Sequence, residues 1–422
     1  MLEYPLRTKR SLVLGIVILL IVVSGFWKFW PKNIVPANSE TLTLPSNFKI
    51  EQYAKNLNEP RVIEFDSKGR MIVSQTKAGN VIMIEDRNKD GSIQDNEKST
   101  LLDGLKSPHG LAFYIDKKTS KTYLYVAETH QVSRYLYDTN IGKILNQGEN
   151  IVKLPTGGRH FTRTISFGPN FREKPILSGN GSVDTMSEIK LYISVGSSCD
   201  TCVEDTWKRA VILESDPEGS YMAEFAGGLR NSVFFTFNSD TKEIWATEMG
   251  RDNLGDSLPP DEINIIKAPD ENDKFGAKRY GWPFCYGNKT KDTSFVSGKY
   301  TRIDISEDCS QTVAPVIEIP AHSAPLGLAF VKSDKFPADW QGDLIIAYHG
   351  STNRGEPTGY KIARFKKDNG NNYKYAGDLV SGWLKDGQVS GRPVDLKFGP
   401  DRALYVSDDQ SGFIYRIVFS NN

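Results

Sequence analysis

VDLKFGPDRALYVSDD, residues Val394 to Asp409, decides the fold. An apolar segment closes on Phe398, the turn-forming run Gly399-Pro400-Asp401-Arg402 follows, and a β-rich segment resumes at Ala403, the pattern of two antiparallel strands joined by a short turn. The same unit recurs five times upstream: RVIEF with RMIVSQ (Arg61 to Gln75), HGLAF with TYLYVAE (His109 to Glu128), RTISF with KLYISVGS (Arg163 to Ser197), VFFTF with EIWATEM (Val233 to Met249) and LGLAF with DLIIAYHG (Leu326 to Gly350). The closing phenylalanines are Phe65, Phe113, Phe167, Phe237, Phe330 and Phe398. The shortest spacing between them, 48 residues, suits a four-stranded blade, and the longer spacings hold insertions.

A third strand follows in most units, such as NVIMIE from Asn80, DEINII from Asp261, GYKIARF from Gly359 and GFIYRIVF from Gly412. The last unit ends after its third strand, while FKIEQYA (Phe48 to Ala54) precedes the first unit without a partner. Pairing those two segments closes a ring and removes an exposed sheet edge. The pattern predicts an all-β fold over residues 47–422, a six-bladed β-propeller of four-stranded antiparallel blades.

Composition agrees with a large buried core: of 422 residues, 39% are hydrophobic, 25% charged and 11% aromatic, which excludes a mainly disordered chain and a polytopic membrane protein. Basic and acidic residues balance at 52 each. Residues 1–32 hold Arg7, Lys9, Arg10, Lys28 and Lys32 against Glu3, leaving 47 basic and 51 acidic residues elsewhere, so no basic field for nucleic acid exists.

From Ser11 to Trp27 no residue is charged, three cations precede the run and FWKFWPK closes it. This predicts a transmembrane helix within residues 11–30, with residues 1–10 cytoplasmic and residues 31–46, rich in Pro, Asn, Ser and Thr, as a linker. A cleaved signal peptide is the alternative. Either way the propeller is expected outside the cytoplasm, where disulfides persist, and the uncleaved segment would tether it to the membrane. Of the three pairings that four cysteines allow, Cys199 with Cys202 and Cys285 with Cys309 each join near neighbours.

In a meander blade, the start of the first strand and the end of the second lie at one end of the sheet, so these loops converge around the channel. All five histidines map to that end: His109, His160 and His322 precede first strands, and His130 and His349 follow second strands. Arg61, Arg159, Arg163, Arg230 and Arg392 stand at first-strand starts, and Arg251 follows a second strand. So many cations imply an anionic ligand.

Two acidic stretches stand apart. DRNKDGSIQDNE matches the ligand spacing of an EF-hand calcium loop, with Asp86, Asn88, Asp90, the turn Gly91, Ser92 at the seventh place and Glu97 at the twelfth. It joins a third strand to a fourth, so a structural calcium is expected at the end opposite the histidines. GRDNLGDSLPPDE (Gly250 to Glu262) leaves the second strand of blade 4 on the histidine face, and Asp252, Asp256, Asp261 and Glu262 are candidate ligands of a hard cation.

Taken together, GGRHFTRTISFGP, LYISVGSSCDTC, GLRNSVFFTF, EIWATEMGRDNLGDSLPPDEIN, YGWPFCYGN, PAHSAPLGLAF, AYHGSTNRGEPTGYK and SGRPVDLKFGPDRALYVSDD resemble the glucose/sorbosone dehydrogenase family of PQQ-dependent quinoproteins, with sorbosone-type members the nearer. The resemblance spans Leu44 to the C-terminus. It implies PQQ over the channel mouth, a calcium ion, and oxidation of an aldose or sorbosone-like sugar with an external electron acceptor. His160 in GGRH is then the general base; Arg230 and Asn231 contact the quinone oxygens and Arg392 the carboxylates. Gly250 and Arg251 give backbone carbonyls to calcium, with Asp252 beside them. His109, Arg163, His349 and Lys361 complete the expected cofactor contacts, His109 standing where glucose-oxidising members have glutamine and His349 or Lys361 in place of a lysine. Arg159 stands where those members have an aspartate, which is expected to lower the basicity of His160. The alternatives are a non-catalytic propeller binding saccharide or protein, and a calcium-dependent lactonase.

Overall fold

The computed structural model describes residues 41–172, 188–270, 273, 276–295 and 308–420. The membrane segment expected over residues 11–30 and the tail before it lie outside the described residues. Among the described residues, no helix is long and apolar enough to cross a membrane.

Six four-stranded antiparallel blades form, as the repeat implies. Blade 1 runs Pro60–Phe65, Met71–Gln75, Asn80–Ile84 and Lys98–Leu102, and blade 2 runs Leu111–Ile115, Thr122–Glu128, Gln131–Asp138 and Glu149–Lys153. Blade 3 comprises Ile165–Pro169, Ile189–Val195, Val211–Ser215 and Ala223–Gly227, and blade 4 Phe235–Phe237, Ile244–Glu248, Asp261–Ile266 and Ile317–Ile319. Blade 5 is Pro325–Phe330, Leu344–Tyr348, Lys361–Lys367 and Tyr373–Val380. Blade 6 takes Pro393–Phe398, Leu404–Asp408 and Phe413–Phe419 from the end of the chain and Phe48–Ala54 from its beginning.

Second strands are buried along their whole length in blades 1, 4, 5 and 6, because neighbouring blades cover both faces. That is why MIVSQ, LIIAY and LYVSD read as near-continuous β-formers. The third strand of blade 2, Gln131–Asp138, is less completely covered and alternates buried and half-buried residues over much of its length.

The insertion between the third and fourth strands of blade 4 accounts for the longest repeat spacing. Its Lys278–Arg279 pairs in parallel with Ala223–Gly227 of blade 3, so the insertion spans two blades at their edge. Cys285–Cys309 closes a loop within it and Cys199–Cys202 closes the loop after the second strand of blade 3, the two pairings favoured from the sequence.

Ring closure has a defined register, Phe48 opposite Phe419, Ile50 opposite Ile417 and Gln52 opposite Tyr415. Phe48 is buried against Phe336, Trp340 and Phe419 with ring centroids 5.3, 4.8 and 4.9 Å away. Phe48→Ala is expected to destabilise the protein by about 3–5 kcal/mol, read as a lower urea midpoint of one cooperative transition. An unchanged midpoint would show that this strand does not hold the ring.

Candidate active site

Loops from first-strand starts and second-strand ends surround a cavity of about 220 Å³. Its walls come from blade 1 (Arg61, Thr76), blade 3 (Arg159 to Thr162), blade 4 (Asn231, Val233, Met249) and blade 5 (Leu326, His349). Antiparallel topology alone brought these sequence-distant residues to one end.

His160 is the best-oriented group in this cavity. Its Nδ1 lies 2.9 Å from the Ser197 carbonyl oxygen and 2.9 Å from the Ser197 hydroxyl, whose own proton goes to the Cys199 carbonyl at 2.6 Å. A carbonyl only accepts, so Nδ1 carries the ring proton and Nε2 keeps its lone pair. Nε2 makes no hydrogen bond among the described residues. Burial first, then the Arg230 charge, and less strongly Arg159, push the pKa of His160 down to about 3, against the Ser197 bond that raises it. The imidazole is therefore neutral, a base rather than a cation, across the physiological range.

Arg230 holds the blade-4 wall. Its guanidinium, 4% exposed, donates to Asp200 Oδ1 at 2.8 Å, to Asp252 Oδ2 at 3.2 Å and to the Gly250 carbonyl at 2.8 Å. Asp252 also pairs with Arg159 at 2.6 Å and accepts from Asn353 at 2.8 Å. Asp200 in turn accepts the Asp252 N–H at 2.8 Å and lies 3.7 Å from Arg251. Asn231 is placed by its backbone, which donates to the buried Glu248 carboxyl at 2.7 Å; burial lifts that carboxyl to about 8. Asp261, lifted to about 7 by burial, receives the Gly250 N–H and the Ala324 N–H at 2.8 and 2.9 Å, locking the blade-4 loop to blade 5.

The facing wall is an Arg61–Asp409–His349 chain. Asp409 accepts from Arg61 Nη1 at 2.6 Å and from His349 Nε2 at 3.0 Å, and these partners hold it well below the usual carboxylate range in spite of its burial. Arg61 Nε is buried without a hydrogen-bond partner in this wall.

The TrAA12-like family profile matches residues 42–419. The chain belongs to this family. A pyrroloquinoline quinone-dependent sugar dehydrogenase of Hypocrea jecorina is 23% identical over 389 residues, 85% of each chain. An uncharacterized protein of Borreliella burgdorferi is 28% identical over 390 residues, 90% of this chain and 92% of its own. Among solved structures, the calcium structure of the Trichoderma reesei carbohydrate-active enzyme of family AA12 superposes with TM-score 0.69 at 20% identity, covering 92% of this chain and 100% of its own. The holo pyranose dehydrogenase PQQ domain of Coprinopsis cinerea gives 0.67 at 20% identity, with 89% and 97% covered. At such identities these superpositions show a shared fold.

Within this TrAA12-like chain the residues singled out from the sequence separate into two groups. His160, Asn231 and His349 line the cavity, and Arg230 and Asp252 support its wall. Four other residues expected to contact a cofactor make internal contacts. Arg392 donates to the Gly350 carbonyl, the Tyr360 hydroxyl and Gln410 at 2.9, 3.1 and 3.0 Å and stacks on Tyr360, so it braces the loop after His349. Arg163, fully buried, donates to the carbonyls of His160, Thr162 and Pro155, fixing the loop that carries the base. Lys361 pairs with Asp378 at 2.9 Å, outside the cavity walls. His109 is fully buried with Nδ1 3.2 Å from the Arg163 carbonyl. His130 and His322 also lie off the cavity, His322 on the Gly255 carbonyl at 2.9 Å.

The expected calcium ligands fare similarly. The Gly250 carbonyl accepts from the Arg230 guanidinium at 2.8 Å, and the Arg251 side chain pairs with Asp292 at 2.7 Å. Asp256 accepts the Gly355 N–H at 3.1 Å, and Glu262 the Gly287 N–H at 2.6 Å. The Asp86 loop does fold as the spacing implies: Asp86 caps the N–H groups of Asp90 and Gly91 at 3.2 and 2.9 Å, Asp90 caps Ser92 at 2.9 Å, Asn88 bonds Asp90 at 2.9 Å, and Glu97 turns inward to Arg87 and Gln94 at 2.9 and 3.0 Å. Sequence reasoning missed Asp200 and Ser197. Both sit in SVGSSCDTC after a second strand, a position that marks the mouth, but the cysteines drew the reading toward a crosslink alone.

Lowering the His160 pKa removes protons from the folded state that the unfolded chain binds below its ordinary value of 6.5, so stability tied to this group falls as pH drops from 6.5 toward 3. Imidazole NMR shifts of His160 are expected to stay flat between pH 5 and 8; an inflection there would contradict a buried neutral base.

Proposed function

We propose that this TrAA12-like chain is a PQQ-dependent sugar dehydrogenase that works outside the cytoplasm with His160 as general base. The observation that carries it is the His160–Ser197 geometry: a neutral imidazole with its tautomer fixed by a carbonyl and its free nitrogen at a cavity walled by arginines. When bound, PQQ supplies the two-electron acceptor for the hydride of the substrate carbon. The donor set suits such an anionic quinone: Arg159 is half exposed and lines the cavity with Asn231 and Arg61. His160 Nε2 takes the proton of a hydroxyl held in the cavity, and the Ser197 carbonyl then stabilises the imidazolium through Nδ1–H. Arg163 and Arg209 hold the backbone of the preceding loop, the latter by donating to the Thr156 and Gly157 carbonyls at 2.8 and 2.6 Å. The paired state of Asp200, Asp252 and Asp409 disfavours a lactonase, which needs carboxylates free to converge on an ion.

Calcium belongs to the same reading, supported by the calcium-containing neighbour and by the folded Asp86–Glu97 loop, which lies between a third and a fourth strand, away from the mouth. Disulfide bonding of all four cysteines supports an oxidising compartment. An N-terminal membrane tether, an unnamed external electron acceptor and an aldose or sorbosone-like substrate complete the proposal.

Reconstitution with PQQ and calcium followed by dye reduction across a sugar panel tests it. His160→Ala is expected to retain PQQ in calorimetry and to lose roughly 10²- to 10⁴-fold in turnover, whereas Arg230→Ala weakens PQQ binding because the Asp200–Asp252 pair loses its counter-charge. Near-normal turnover in His160→Ala would exclude the base, and a wild type silent with every sugar despite bound PQQ would favour a non-catalytic propeller. Asp86→Ala is expected to lower the melting temperature in calcium and leave PQQ affinity unchanged; lost PQQ affinity would contradict a purely structural loop.

A further inference from the structure

Glu59 stands immediately before the first strand of blade 1 and lines the same cavity as His160. Its backbone has φ +56°, a conformation unfavourable for any side-chain-bearing residue and more so before a proline, here Pro60. The conformation is held from blade 1: the Thr76 N–H donates to the Glu59 carbonyl at 3.3 Å, and the Asn58 N–H donates to the Gln75 side chain. A strained residue pinned at a cavity rim is a reason to ask what its side chain does.

That side chain differs from the other carboxylates of the mouth. Asp200, Asp252 and Asp409 are each tied to arginine, whereas the Glu59 carboxylate makes no hydrogen bond or ion pair among the described residues. Burial first, and then the Asp409 charge, raise its pKa above the ordinary carboxylate value. The more distant charges of Arg61 and Lys77 act the other way, and the two acceptor oxygens border the cavity with no direct partner among the described residues. Beside His160, Phe161 lines the same cavity and leaves 44% of its surface exposed. An open ring face and an acceptor pair are complementary to the C–H face and the hydroxyls of a sugar.

We propose that Glu59 and Phe161 form the subsite for the non-reacting part of the substrate, a neutral sugar that gives two adjacent hydroxyl protons to the Glu59 carboxylate and lays its C–H face on Phe161. The subsite rests on the dehydrogenase reading and deepens it by naming the substrate class: a uronic acid of the same configuration brings a second carboxylate toward Glu59 and is disfavoured. Glu59 is a specificity-determining residue here, and proton transfer stays with His160.

The experiment measures sugar binding to the cofactor-free protein by calorimetry, KM and kcat of the PQQ-reconstituted enzyme, and PQQ affinity, for wild type, Glu59→Gln and Phe161→Ala, with a neutral pyranose and its uronate. Glu59→Gln is expected to raise both Kd and KM for the neutral sugar roughly 10- to 100-fold, the share of a charged hydrogen bond. Its kcat should stay within about threefold, since such loss of uniform binding leaves kcat largely intact. PQQ affinity should not move, and the preference for neutral sugar over uronate should shrink. Phe161→Ala should weaken binding of both sugars and keep that preference. Unchanged Kd and KM in Glu59→Gln, with turnover intact, would overturn the subsite while leaving the dehydrogenase standing. Absence of turnover in PQQ-loaded wild type would instead overturn the dehydrogenase, and the cofactor-free binding comparison would still decide for or against Glu59.

Discussion

Pairing of Phe48–Ala54 with Phe413–Phe419 is the constraint on which the rest of the molecule depends. An open arc of blades would leave a row of unpaired backbone groups on blade 6 and no fixed position for blade 1. Closed, the ring sets blade 6 beside blade 1, and Asp409 meets Arg61 at 2.6 Å across 348 residues of chain. That ion pair, extended to His349, forms one wall of the cavity, opposite the wall carrying His160 and Asn231. Local hairpins built each blade, but only closure makes a cavity from them.

Within the cavity, charge is organised by compensation. Arginines that a sequence reading assigns to a ligand are largely held by the protein's own carboxylates and carbonyls: Arg230 by Asp200 and Asp252, Arg61 by Asp409, Arg392 by the Gly350 loop. Guanidinium groups held in this way stabilise geometry more than they offer free charge. Among the described residues, what remains open is sparse: His160 Nε2, the exposed part of Arg159, and the Glu59 carboxylate. Catalysis by a neutral imidazole depends on this arrangement, because burial and Arg230 together keep His160 unprotonated while the Ser197 carbonyl directs its lone pair.

The fold was legible because blades repeat. Six phenylalanine-closed strand pairs announced the propeller, the orphan FKIEQYA announced its closure, and sheet antiparallelism sorted loops to two ends without any tertiary information. The site was legible only by face: position at a first-strand start correctly brought His160 and Asn231 to the mouth, yet the same rule promoted His109, Arg163 and Arg392, whose side chains turn inward. A first-strand start fixes where the backbone is and leaves rotamer and depth open, and depth decides whether a cation meets ligand or carbonyl. Gly250 shows the same limit, since no spacing rule reveals that Arg230 takes its carbonyl. Nothing in their local sequence separates Glu59 from Asp200, and only the folded contacts distinguish the unbonded carboxylate from the arginine-bound one.

The most direct measurement follows the absorbance of protein-bound PQQ after anaerobic mixing with sugar, in wild type and His160→Ala. Rapid reduction of the bound quinone in wild type, slowed by at least about 10²-fold in the variant at equal cofactor occupancy, is the result expected of a general base at this position. Equal reduction rates in the two proteins, or a bound quinone that no sugar reduces in either, would contradict it.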